Sequence, residues 1–345
     1  MVLRVAEFYS GVGGMHFALK ETGIDFQVVR AFDINTVANE VYTHNFAEVP
    51  LMQRCIEALP MSMFEALKAD LWTMSPPCQP YTRQGLQRGS DDMRSKSFLF
   101  LIDLLGKLQR KPTFLLMENV VGFEKSDTRA ILLRQLVRVG YRFEEYLLNP
   151  LQLGYPNSRT RYYLLAKLDA QPQVCSDSEG LPARFRYEVP GVEMIPPAAD
   201  CDGHVDFEKG AWDHDKVRQI MAFMEDLSDD ELASSRLSQN VLDKHGYVHD
   251  VVTPADRRTC CFTKGYTRFA EGTGSILQTA GVVGTDPMTV ENTRYFTPRE
   301  IANLMGFPAA FYFPAATSKR QQYRLLGNSL SVSVVAVLIS YLHRM

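Results

Sequence analysis

The chain has 345 residues, 46% of them hydrophobic and 22% charged, with a net charge of −3. That length suits one large domain with a smaller companion. The weak negative charge gives no whole-chain attraction to polyanions, so a nucleic acid would have to meet a local basic surface.

Six cysteines, at 55, 78, 175, 201, 260 and 261, form no C-x-x-C. They lack zinc spacing and do not read as a disulfide framework, which points to a reducing compartment and no metal. No signal-peptide core opens the chain. The most apolar run, 330–342, is shorter than the roughly 20 residues of a bilayer crossing. It reads as a buried helix of a soluble, intracellular protein without a membrane partner.

The first half alternates strand-like runs with helical patterns, which predicts βαβ units and a mainly parallel sheet. Residues 3–9 read as a strand, followed by SGVGGM and a helix closing at Gly23. A second strand spans 27–32, and Asn35 is placed to cap a helix whose apolar face includes Val37, Val41 and Tyr42. Strand 71–74 runs into SPPCQP. Strand 114–117 runs into ENVVGFE, with Glu118 just past its end, and a helix from about 129 stops at Gly140. Residues 142–148 and 161–167 read as late strands paired as a hairpin.

From about 170 to 250 the chain is irregular, and SDDELASSR reads as a solvated helix face. Order returns in TPREIANLMGFP, where Thr297 and Glu300 make a capping box, Pro298 opens the first turn, and Gly306 and Pro308 end the helix. LLGNSLSV reads as a turn into the last helix, with Asn328 and Ser329 either capping it or touching a ligand.

Several of these segments carry residues suited to chemistry. Gly11, Gly13 and Gly14 bring backbone amides close to a ligand, but the third glycine of G-x-G-x-x-G is missing. A nucleoside without a pyrophosphate suits the loop better than a dinucleotide. Asp33, ending the second strand, stands where such folds hold ribose hydroxyls, or it is a helix-entry acid; Ile34 beside it can pack on adenine. Cys78 sits in a frame of prolines that stiffens the backbone, as a nucleophilic thiol at a sheet edge would need. Glu118 is an acid for a heterocycle. Arg159 and Arg161, two apart, share one face if the segment is extended, and suit an anionic or carbonyl-rich ligand or a surface ion pair.

FYSGVGG, FDIN, SPPCQP, MENV, SRTR, RYFTPRE with GFP, and GNS, in this order and over nearly the whole chain, resemble the cytosine-5 methyltransferase superfamily. CCFTKGYTRFAEGTGS and PPCQPYTRQG resemble its eukaryotic branch that methylates tRNA, known for cytosine 38 of the aspartate tRNA. The resemblance implies an α/β, Rossmann-like S-adenosylmethionine-dependent methyltransferase fold with a smaller target-recognition domain. Its parts would be a catalytic domain at 1–188, a target-recognition domain at 189–290 and a segment at 291–345 returning to the catalytic domain.

The resemblance also implies roles. Cys78 would add to carbon 6 of cytosine, Glu118 would hydrogen-bond and protonate the ring at nitrogen 3, and Arg161 with Arg159 would hold the cytosine carbonyl and the loop. The cofactor, S-adenosylmethionine, would lie across Phe8, Ser10, Gly11, Val12, Gly13 and Gly14, with Asp33 on its ribose. Ile34, Ile56 and Glu57 would surround the adenine, Ser75 and Pro77 the reactive methyl, and Asn328 with Ser329 would close the site. Asn157 stands where DNA-methylating members usually carry glutamine.

The expected partner is tRNA, specifically tRNA(Asp), with DNA as a weak secondary one. The expected state is a monomer in cytoplasm or nucleus. Basic and aromatic clusters at 83–96, 257–268 and 294–323 are expected to bind phosphates and stacked bases. A DNA cytosine-5 methyltransferase and a non-catalytic nucleic-acid-binding fold remain the alternatives.

Overall fold

The computed structural model describes residues 2–77, 95–169, 185–196, 213–284 and 286–345. Cys78 and most of the 83–96 cluster lie outside the described residues. The chain divides into two compact units: Met1–Leu148, Thr160–Val192 and Val335–Met345 form one, Asn149–Arg159 and Glu193–Val334 the other. The resemblance implies changes at 188/189 and 290/291, whereas composition shifts near 170.

In the first unit strands and helices alternate: β1 (Leu3–Phe8), α1 (Gly14–Glu21), β2 (Phe26–Phe32), α2 (Thr36–Asn45), β3 (Leu51–Met52), α3 (Met61–Leu67), β4 (Leu71–Met74), α4 (Lys96–Lys107), β5 (Phe114–Val120) and α5 (Asp127–Val139). Then come β6 (Tyr141–Leu148) and β7 (Arg161–Leu168). The sheet order is β3-β2-β1-β4-β5-β7-β6. All neighbours are parallel except β7, which runs antiparallel to both β5 and β6. This is the mainly parallel α/β sheet expected, and its apolar strands are buried on both faces, as helix-covered parallel sheets require. Phe8 stacks on Phe32 with ring centroids 4.9 Å apart, beside Trp72, in the core.

Local signals account for the helix ends. The Asn35 side chain accepts from the Ala38 amide at 3.2 Å, opening α2 as expected. α5 starts at Asp127, two residues earlier than the pattern suggests, because Ser126 caps it through the Arg129 amide. One correction bears on the site. β5 does not end at Met117 but continues to Val120, because β7 pairs with it along its whole length, Glu118 opposite Tyr163 and Val120 opposite Arg161. Glu118 is therefore inside the strand.

The second unit holds α6 (Asp229–Ser235), α7 (Gln239–His245), β8 (Asp250–Val252), β9 (Ser275–Gln278), β10 (Thr293–Tyr295), α8 (Pro298–Leu304) and α9 (Lys319–Gly327). Its sheet has the order β10-β9-β8. α6 and α7 have seven residues each, too few for a readable period. The Thr297–Glu300 capping box of α8 forms as expected, and Glu300 also holds Arg294 at 2.7 Å. The sequence reading missed α9, although its own capping box, Ser318 with Gln321, was a usable signal.

The last helix, α10 (Val332–Arg344), begins in the second unit and continues into the first. Residues 319–344 together are long and apolar enough to cross a membrane by length and composition. They form two helices interrupted at 328–331, and Val332, Val335, Leu338, Ile339 and Leu342 of α10 are buried.

Candidate active site

Parallel register builds the first half of the site. Phe8 of β1 lies opposite Met74 of β4, and Met74 opposite Met117 of β5. The next residues, Tyr9, Ser75 and Glu118, therefore stand on one edge, the carboxyl edge where open α/β sheets bind ligands. Ser75 is tied there twice: its amide donates to the Phe8 carbonyl at 3.3 Å and its hydroxyl to the Tyr9 carbonyl at 2.9 Å. Pro76 and Pro77 follow, and the Pro76 carbonyl accepts from Asn119 Nδ2 at 3.4 Å. The loop that leads to Cys78 thus leaves the sheet already anchored.

The turn after β1 is shaped by backbone conformations that side chains disfavour. Tyr9, Gly11 and Gly13 have φ of 59°, 53° and 88°. A Cβ on Gly13 would lie 2.5 Å from Phe46 and 3.2 Å from Tyr42, whereas one on Gly11 meets nothing within 4 Å. Gly13→Ala is therefore expected to destabilise the protein by about 1–3 kcal/mol and Gly11→Ala by less. Urea unfolding of the two variants checks the order; equal losses would remove the aromatic wall as the cause.

Asp33 clasps this turn. Its carboxylate accepts from the Gly11 amide and the Asn35 amide, both at 2.8 Å, and burial raises its pKa against the pull of those amides. Ile34 is 66% exposed beside it, as an adenine platform would be, and Glu57 is exposed. Ile56 and Val12 are buried, and the Phe8 side chain belongs to the core rather than to the turn's surface. Ser10 is buried, and its Oγ has no hydrogen-bond partner. An orphaned hydroxyl, a glycine turn held by Asp33 and an exposed aliphatic platform fit a nucleoside-type cofactor.

Glu118 is buried, with Arg161 Nε 3.5 Å from its carboxylate. Arg161 also donates to the Thr160 carbonyl at 2.7 Å. Arg159 behaves differently. It is buried in the second unit, where it donates to Cys261 Sγ at 3.1 Å, the Phe262 carbonyl at 3.0 Å, the Gly327 carbonyl at 3.3 Å and the Ser329 carbonyl. The two arginines thus serve separate partners instead of sharing one face, because only Arg161 belongs to a strand. Asn328 also differs from the reading: it is the C-cap of α9, not the N-cap of the final helix.

A family model for C-5 cytosine-specific DNA methylase matches residues 3–344. The chain belongs to the C-5 cytosine methyltransferase family.

A rat protein called tRNA (cytosine(38)-C(5))-methyltransferase is 40% identical over 387 residues, covering 99% of each chain. A Dictyostelium discoideum protein called DNA (cytosine-5)-methyltransferase is 37% identical, covering 99% of this chain and 94% of that one. Among solved structures, the Dnmt2 methyltransferase of S. pombe superposes with a TM-score of 0.80 at 35% identity, covering 100% of this chain and 99% of that one. The fold of this C-5 cytosine methyltransferase is accordingly Rossmann-like.

Two features of the methyltransferase escaped sequence reasoning. Under the glycine turn, Glu7 accepts from the Tyr42 hydroxyl at 2.9 Å, and Tyr42 lies 3.0 Å from His16 Nδ1. Burial pushes Glu7 up to about 8 and His16 down to about 3. An acid between Ala6 and Phe8, on the apolar half of the LRVAEF strand, was the signal available. The second is the setting of Asn157, which the sequence marked only as standing in place of a glutamine: it is fully buried with neither side-chain amide atom partnered. No cluster of three metal-ligating side chains occurs among the described residues.

Proposed function

We propose that the protein methylates carbon 5 of a cytosine in tRNA, cytosine 38 of tRNA(Asp), using S-adenosylmethionine and a transient bond from Cys78. The observation that carries the chemistry is the shared edge of Ser75 and Glu118, with Arg161 beside the acid. The RNA target is supported by the full-length similarity to the rat enzyme whose name states it. The name of the Dictyostelium relative, DNA (cytosine-5)-methyltransferase, supports DNA as the second reading.

Ser10, Gly11, Val12, Gly13 and Gly14 would hold the cofactor with Asp33 and Ile34, near Ser75 and Pro77. Bound there, S-adenosylmethionine supplies an electrophilic methyl group. The chain's residues do the rest. The Cys78 thiolate adds to carbon 6 of an unstacked cytosine, which raises electron density at carbon 5. Glu118 gives a proton to nitrogen 3, neutralising the charge that the addition creates, and Arg161 donates to the ring carbonyl. After methylation a base removes the carbon-5 proton, the electron pair re-forms the ring double bond, Cys78 leaves as thiolate, and nitrogen 3 returns its proton to Glu118. Prolines around Cys78 serve position, since a displacement of about 1 Å can lower the rate by about 100-fold. An anticodon loop offers a base free of duplex pairing.

The test is transfer of labelled methyl from S-adenosylmethionine to total tRNA and, separately, to duplex DNA, with Cys78→Ala beside the wild type. Label in tRNA that vanishes in the variant is the expected outcome. Label in DNA alone would replace the RNA reading with the second one.

A further inference from the structure

The second unit carries a compact loop from 262 to 275 that the chemistry above does not use. Thr263 and Thr273 close it, amide to carbonyl, at 2.9 Å. Buried Phe262 and Tyr266 pack edge-to-face inside it, 5.1 Å between centroids, and the Tyr266 hydroxyl donates to the Ser275 carbonyl at 2.8 Å. Thr267 then adopts φ 66°, a conformation a β-branched residue holds only when its surroundings enforce it.

Beyond that strained turn the loop presents Arg268 and Phe269 outward. Phe269 is 59% exposed, with the Arg268 guanidinium 5.1 Å from its ring centroid. Lys264 is exposed on the same loop. A lone surface phenylalanine would call for no explanation. This one stands on a rigid base beside Arg268, on a loop that also exposes Lys264, and the base has a fixed address. Gly327 approaches so closely that a Cβ on it would lie 2.2 Å from the Lys264 amide nitrogen. Arg159 bonds both the Gly327 carbonyl and the Phe262 carbonyl, joining the loop to the GNS turn.

We propose that Phe269, with Arg268, is a stacking platform for an unpaired nucleobase of the RNA, and that Lys264 meets the adjoining phosphate. The platform rests on the RNA reading given above. Bases of every kind stack on an aromatic face, so it grips single-stranded RNA without reading its sequence, while the cations add salt-dependent attraction. Duplex DNA, whose bases stay stacked, gains little from it.

The experiment measures binding of a fluorescently labelled anticodon stem-loop RNA and methylation kinetics for wild type, Phe269→Ala and Phe269→Trp. Alanine is expected to weaken RNA binding about tenfold, within the range of one lost base stack, and to raise KM for RNA with kcat unchanged. Tryptophan is expected to bind at least as well as wild type. Wild-type affinity in Phe269→Ala overturns the platform, and so does an equal loss in both variants, which would mark Phe269 as packing. A wild-type protein that binds and methylates no RNA overturns the RNA reading itself, and the platform with it.

Discussion

Glu118→Gln is expected to lower kcat for methyl transfer by roughly 10²- to 10⁴-fold, the range for removing a positioned general acid. Glutamine keeps the shape and can still hydrogen-bond a cytosine, but it has no proton to give to nitrogen 3. The effect should fall on kcat more than on KM, because charge on the ring develops only after the thiol has added. The substitution also leaves Arg161, half of a buried ion pair at 3.5 Å, without its carboxylate. Loss of such a partner can destabilise a fold by about 3 kcal/mol or more. Rates must therefore be measured well below the variant's melting temperature, with saturating RNA and S-adenosylmethionine. A kcat within threefold of wild type would remove Glu118 from the chemistry.

The second large effect concerns pH and stability. Glu7 has its folded pKa raised to about 8 by burial, so the native state holds its proton more tightly than the unfolded chain. From about pH 4.5 to 8 this group makes stability fall as pH rises, by about 1.4 kcal/mol per pH unit where the imbalance is complete. His16, lowered to about 3 by burial, acts in the opposite sense: between about 3 and 6.5 the unfolded chain binds the extra proton, so stability rises with pH. The two slopes oppose one another between about 4.5 and 6.5. Above that window Glu7 acts alone, and below it His16 does. Wild-type stability should therefore form a plateau with losses on both sides, and Glu7→Gln should abolish the decline from 6.5 to 8. Denaturant unfolding of both proteins across that range decides it; parallel declines would place the titration elsewhere. Because Tyr42 of this cluster also walls Gly13, the same ionisation acts directly under the glycine turn.

What the amino-acid sequence determined by itself was whatever rests on neighbours a few positions apart. Asn35 reaches Ala38, Thr297 pairs with Glu300, and helix α5 stops at Gly140. Strand periods and turn residues are equally local, so the α/β plan and the place of the glycine turn were legible. Motif order carried the family resemblance, which the match over residues 3–344 bears out. Tertiary structure alone decided the rest. Glu118 is inside a strand because β7, more than 40 positions later, pairs antiparallel beside it. Arg159 separates from Arg161 because its carbonyl partners lie 103, 168 and 170 positions away. Glu7, Tyr42 and His16 meet because parallel strands and their covering helices crowd one side of the sheet. Hydrogen-bonding capacity is written in each residue, but the partner that satisfies it over such separations is chosen by the packed chain, where an unpaired buried group is costly.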